Sequence, residues 1–176
     1  MVSDKKSTPV KSWPLELLKT LDICQEIHIY AEEIYLHLSA LHHEDREISR
    51  IFGELAVDKC NLSDAFKMAS RLKGSGLSRI CITPEAATEL LDKMKTLLQW
   101  INSNPVSAVH ALRFAIRMEE SLEKIHILNA VTFDHDQDRE LMTANLKKSS
   151  GNLHLMTEEY LNLTLSGQYT DDAFAD

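Results

Sequence analysis

Apolar residues recur at alternating spacings of three and four along most of the chain, and this spacing predicts helices that each bury one face. The first inward-facing stripe consists of Leu17, Leu21, Cys24, His28, Ala31, Tyr35 and Leu38. The second consists of Ile51, Leu55, Asp58, Leu62, Ala65, Ala69 and Leu72. The third consists of Ala108, Leu112, Ala115, Glu119, Leu122 and His126.

Proline and glycine indicate where these helices begin and end. Residues 15–73 and 106–166 contain no proline, which permits long helices because proline breaks helix interiors. Gly74 and Gly76 are typical of a helix C-terminus. The start signals are Pro14, Thr83-Pro84 before a connector helix over 85–100, Asn104-Pro105, and Asp134 with Gln137, which resembles a capping box before a last helix to about Leu165.

The order of these helices predicts the architecture. Two antiparallel hairpins, 14–73 and 105–165, are joined by a long crossover that contains an extra short helix. Strand-type alternation flanked by hairpin turns is absent from the sequence. We therefore predict an all-α fold, a four-helix bundle of the ferritin type over 14–166, with an N-terminal extension (1–13) and an acidic tail (167–176).

Composition narrows the classes of function. Lys and Arg number 19 against 27 Asp and Glu, for a formal charge of −8, which argues against nucleic acid or an anionic membrane as the main partner. The sequence contains no stretch of about 18 apolar residues, so it predicts no membrane span. The three cysteines lack CxxC spacing, which favours a reducing compartment, so we expect a cytoplasmic protein.

Polar residues interrupt the predicted inward stripes, and they are the candidates for chemistry. His28, Asp58, Glu119 and His126 occupy stripe positions, and His154 lies on the last predicted helix. A polar group inside a bundle must be paired or must bind something. Inward carboxylates and imidazoles from different helices are also how a bundle holds metal ions.

Three segments resemble the rubrerythrin-type ferritin-like proteins. The runs AEEIYLHL at 31–38 and IFGELA at 51–56 are similar to the first hairpin of that family, and ALRFAIRME at 111–119 is similar to its third bundle helix. The resemblance extends over roughly residues 15–165. It implies a di-iron site with one Glu on the first and third helices, a Glu-x-x-His motif on the second and fourth, and peroxidase or ferroxidase chemistry.

The positions that this resemblance assigns to the iron ligands depart from the family pattern. They hold His28, Lys59, Leu62, Glu119, Gly151 and His154. Lys59 would place a positive charge among the ligands, and two iron ions without bridging carboxylates repel each other strongly in a low-dielectric core. We therefore expect the peroxidase or ferroxidase activity of the family to be lost, and we assign no catalytic residue.

The remaining candidate ligands leave several interpretations open. His28, Glu119 and His154 could hold one Fe or Zn ion. Alternatively the site has decayed, His28 pairs with Glu119, and no metal binds. The chain would then be a helical scaffold or interaction module. A further alternative is an active iron-dependent oxidoreductase with an unusual site built from Glu119, Glu123, His126 and His154.

The apolar side chains of the connector helix bear on the oligomeric state. They exceed what a lone exposed helix needs, so they either pack across the bundle or form a subunit interface. Related bundles commonly form dimers, and we predict a homodimer. The residues concerned are Leu90, Leu91, Met94, Leu97, Leu98 and Trp100.

Overall fold

The computed structural model describes residues 15–71, 77–146 and 152–165. The predicted extension (1–13), the acidic tail (167–176), the glycines after the second helix and Gly151 lie outside the described residues. The chain is mostly helical, as predicted. Its elements are α1 (Leu15–Leu41), α2 (Arg46–Arg71), β1 (Leu77–Ile80), α3 (Pro84–Ser103), α4 (Ala108–Leu122), a 3₁₀ turn (Glu123–Ile125), α5 (Ile127–Ala130), β2 (Val131–Phe133), α6 (Asp136–Leu146) and α7 (Asn152–Leu165).

Helices α1 and α2 form the predicted first hairpin. In the turn between them, the Asp45 carboxylate accepts hydrogen bonds from the backbone N–H groups of Glu47 and Ile48, which caps the start of α2. Farther in, the rings of Tyr35 and Phe52 stack with centroids 6.2 Å apart. The inward stripes of both helices are buried as predicted, except that Leu17 is half-buried and Leu72 lies outside the described residues.

Helix α3 follows the predicted start signal. The Thr83 hydroxyl accepts a hydrogen bond from the Ala86 N–H, and Pro84 occupies the first helical position. The helix packs along α1, where Leu91 and Met94 are buried. The Trp100 ring meets the Phe114 ring of α4 edge-on, 5.5 Å between centroids. Leu90, Leu97 and Leu98 are partly buried against the core, whereas Trp100 is 37% exposed, and the predicted homodimer remains a prediction.

The start of α4 corrects one predicted cap. The Ser107 hydroxyl accepts the hydrogen bond from the His110 N–H, so Ser107 caps the helix and Asn104 does not. Asn104 has an extended backbone and ends α3, where its side-chain amide donates to the Trp100 carbonyl. A residue before proline is disfavoured in helical conformation, which explains why α3 stops there.

Two short strands correct the expectation of a chain without strands. After α4 the chain passes through the 3₁₀ turn and α5, and β2 then pairs antiparallel with β1, with Ile80 opposite Val131. The Cys81 N–H also donates to the Ala130 carbonyl. Strands of three and four residues are too short to produce a detectable alternation of apolar and polar positions.

Helices α6 and α7 complete the helical packing of the described residues. Helix α4 packs against α7, and α2 contacts both α6 and α7. Helix α4 ends at Leu122, so it is shorter than the predicted third helix, whose stripe runs to His126. Helix α6 begins at Asp136 rather than directly after Asp134. Among the described residues, no helix has both the length and the apolar character required to cross a membrane.

Replacing Thr83 tests the capping that positions α3. We expect Thr83→Ala to lower the free energy of unfolding by about 1 kcal/mol, because the Ala86 N–H loses its acceptor. Urea denaturation measures the change. The matched control is Thr96→Ala on the exposed face of the same helix, where we expect a change below about 0.5 kcal/mol. Equal losses in both variants would contradict the assigned cap.

Candidate functional site

Three polar side chains from three helices meet inside the bundle. The Tyr35 hydroxyl of α1 donates a hydrogen bond to Glu119 Oε1 of α4, with 2.6 Å between the oxygens. Lys59 Nζ of α2 lies 2.6 Å from Glu119 Oε2 and forms an ion pair with it. The Lys59 side chain is 4% exposed and that of Glu119 is 17% exposed. We call Tyr35, Lys59 and Glu119 the core triad.

Helical periodicity places each member of the core triad toward the interior. Tyr35 belongs to the inward stripe of α1, and Glu119 follows Ala115 by four residues on the inward face of α4. Lys59 lies four residues after Leu55 and three residues before Leu62, both of which are buried, so it shares the inward face of α2 with them.

Burial determines the electrostatics of the core triad. An ammonium and a carboxylate removed from water each lose hydration, and the loss is offset by their mutual attraction and by hydrogen bonds to the remaining lone pairs. The Tyr35 hydroxyl provides such a bond. Burial and the neighbouring Glu119 carboxylate hold the pKa of Tyr35 well above its usual range, so Tyr35 remains a proton donor.

His28 lies two helical turns before Tyr35 on the same inward stripe of α1. The imidazole is fully buried, and neither ring nitrogen has a hydrogen-bond partner among the described residues. Its ring stacks on Phe66, with 5.4 Å between centroids. Burial lowers the pKa of His28 to about 3, helped by the Lys59 ammonium and by His126, while the backbone of Ile125 acts in the opposite direction. His28 is therefore neutral at physiological pH.

His126 is half-buried in the chain segment that follows α4. Burial and the Lys59 ammonium lower its pKa, whereas the carboxylates of Glu119 and Glu123 raise it. The same ammonium thus acts on both imidazoles. Asp58, the other polar residue predicted on the inward stripe of α2, is buried as well.

The predicted ligand set is not brought together. The His154 side chain is 76% exposed, and its Nε2 lies 3.2 Å from Glu158 Oε1 one turn away on α7. Glu119 pairs with Lys59 and Tyr35, so the expected His28–Glu119 pair is wrong. In the alternative set, His126 lies within electrostatic reach of Glu119 and Glu123, but Glu123 is exposed where α4 ends and His154 lies on the surface of α7.

The donor set does not fit a di-iron centre. Both oxygens of Glu119 are engaged by proton donors, and one of these donors is itself a cation. Within 15–71, 77–146 and 152–165, no group of three or more His, Cys, Asp or Glu side chains has the arrangement to hold a metal ion. The geometry supports an internally neutralised charge pair, next to a neutral imidazole.

Of the core triad, the sequence predicts only Glu119 as a site residue, and it places Lys59 at a ligand position as a charge that disfavours iron. Glu119 and Lys59 were singled out by their positions in the resemblance to the di-iron family, and both lie in the interior. Tyr35 was assigned only to the apolar stripe. A signal for its role was available, since a buried tyrosine hydroxyl usually requires an acceptor.

The chain was compared with protein-family models, with curated proteins and with solved structures, and none of them gives a significant match.

Proposed function

We propose that the chain is a ferritin-like helical bundle that functions without a di-iron centre, as a metal-independent scaffold or interaction module. The observation that carries the proposal is the ion pair between Lys59 and Glu119, in which an ammonium supplies the positive charge beside the interior carboxylate. Lys59 occupies a position that the resemblance assigns to a metal-ligating Glu.

The arrangement of the helices supports the bundle. Helices α1 and α2 form one hairpin, and α4 packs against α7 in the second half of the chain. Helix α3, which joins these halves, packs along α1. A crossover helix between two pairs of helices is the layout expected of the ferritin type.

The chemistry of the core triad supports metal independence. A ferrous or zinc ion binds through lone pairs, and the two carboxylate oxygens of Glu119 already accept hydrogen bonds from Tyr35 and Lys59. A metal ion that approached Glu119 would also be repelled by the buried ammonium. Peroxidase or ferroxidase activity is therefore absent from the proposed function, and the exposed helix surfaces serve the scaffold role.

Metal analysis of the protein tests this proposal directly. Full-length protein purified without a His tag, from cells grown with added iron and zinc, is expected to contain well below one metal ion per chain and to show no peroxide turnover. Elemental analysis by mass spectrometry and a peroxide-consumption assay provide the two measurements.

Two results would overturn metal independence. About two iron ions per chain together with peroxide turnover would indicate a working di-iron enzyme. About one metal ion per chain, lost in His154→Ala but retained in the exposed control variant His43→Ala, would support the mononuclear site formed by His28, Glu119 and His154.

Replacing Lys59 and Glu119 by neutral residues measures the contribution of the ion pair to stability. We expect Lys59→Met to lower the free energy of unfolding by about 3–5 kcal/mol, because Glu119 is left buried without its cation. The double variant Lys59→Met/Glu119→Gln is expected to recover most of this loss, since neither side chain is then charged. Urea denaturation of the wild type, the double variant and the two single variants Lys59→Met and Glu119→Gln gives the coupling energy. Additive losses would show that the pair is not coupled.

The pH dependence of stability tests the neutral state of His28. Its pKa is about 3 in the folded chain, whereas an ordinary histidine has a pKa of 6.5, so unfolding takes up a proton between these pH values. The contribution of His28 to stability is complete above about pH 6.5 and decreases below it. Between pH 7.5 and 5.0 we expect the wild type to lose about 2 kcal/mol more than His28→Phe. Urea denaturation at both pH values measures this difference, and equal losses would contradict it.

A further inference from the structure

The surroundings of Glu119 have the features of a cation-binding site. The cation in this site is the Lys59 ammonium, which is covalently attached to the chain. The Tyr35 hydroxyl holds one carboxylate oxygen at 2.6 Å, so the carboxylate is fixed in orientation before any cation is considered. The other oxygen faces the ammonium of Lys59, also at 2.6 Å. The side-chain stem of Lys59 therefore connects the bound ammonium to α2.

Glu119 is not fully closed off from solvent. Its side chain remains 17% exposed, whereas the Lys59 side chain is 4% exposed. Removing the lysine stem would therefore leave space beside a carboxylate that is already partly exposed. Leu55 and Leu62 lie four residues before and three residues after Lys59 on the same face of α2, and both are buried, so the vacated space would have an apolar wall on the side of α2 and the carboxylate at its end.

We infer that Glu119 and Tyr35 form a binding site for a primary alkylammonium ion, which the side chain of Lys59 keeps permanently filled. An alkyl chain matches the apolar wall, and an ammonium matches the carboxylate by a charge-assisted hydrogen bond. The inference rests on the proposed metal independence, because a metal ion at Glu119 would compete for the same oxygens.

Chemical rescue of a shortened side chain tests this inference. Lys59→Ala removes three carbons and the ammonium, which are the heavy atoms of n-propylammonium. We expect the thermal unfolding midpoint of Lys59→Ala to lie below that of the wild type and to rise with the concentration of n-propylammonium chloride. The wild type, whose site is filled, is expected to show no comparable rise at the same ionic strength.

Two controls identify the groups that recognise the ammonium. Lys59→Ala/Glu119→Gln lacks the carboxylate charge and is expected to show no rescue. Tetramethylammonium has the charge but no N–H donor, and it is expected to give little rescue of Lys59→Ala. Rescue of the double variant, or equal rescue by tetramethylammonium, would overturn the inference, as would no rescue of Lys59→Ala by n-propylammonium.

The test remains decisive if Lys59→Ala does not fold in the absence of n-propylammonium. If Lys59→Ala is unfolded in buffer, far-ultraviolet circular dichroism during titration with n-propylammonium is expected to show recovery of helix, and its absence would contradict the site. Metal analysis of the wild type is a separate measurement. Failure of rescue in a metal-free protein rejects the ammonium site alone, whereas a di-iron wild type rejects the proposed function.

Discussion

A charge buried in a protein interior must be matched there, and this requirement governs how the hairpin of α1 and α2 meets α4. Glu119 is joined to Tyr35 across 84 positions of sequence and to Lys59 across 60 positions. These contacts form only when the three helices reach their final positions, since moving any one of them leaves a carboxylate or an ammonium without its partner. The core triad therefore links α1, α2 and α4 through contacts that are distant in sequence.

The neutral imidazole of His28 follows from the same requirement. A protonated imidazole would need acceptors for two N–H groups, and neither ring nitrogen of His28 has a hydrogen-bond partner among the described residues. The ammonium of Lys59 also disfavours a second positive charge close to it. His28 consequently behaves as an aromatic ring that stacks on Phe66, and the bundle tolerates a polar residue at an apolar position.

Local patterns predicted the parts of the fold that depend on neighbouring residues. The stripes of α1 and α2 and the cap at Thr83 follow from spacing and from hydrogen bonds within one turn, so they could be recognised in the sequence. The strand pair of β1 and β2 could not be, because it joins short segments more than fifty residues apart. The placement of His154 was equally inaccessible, since the orientation of α7 is decided by tertiary packing, and there the imidazole faces Glu158 and not the interior.

The tethered ammonium of Lys59 and a bound metal ion would neutralise the Glu119 carboxylate in different ways. A metal ion dissociates, accepts several ligands and exchanges water, so a site that holds one is sensitive to supply and open to substrates. The ammonium of Lys59 cannot leave the folded chain, donates hydrogen bonds and accepts none. Under the proposed function, a chain that carries its own cation would fold independently of metal supply, and its interior would give up the reactivity that a bound metal ion provides.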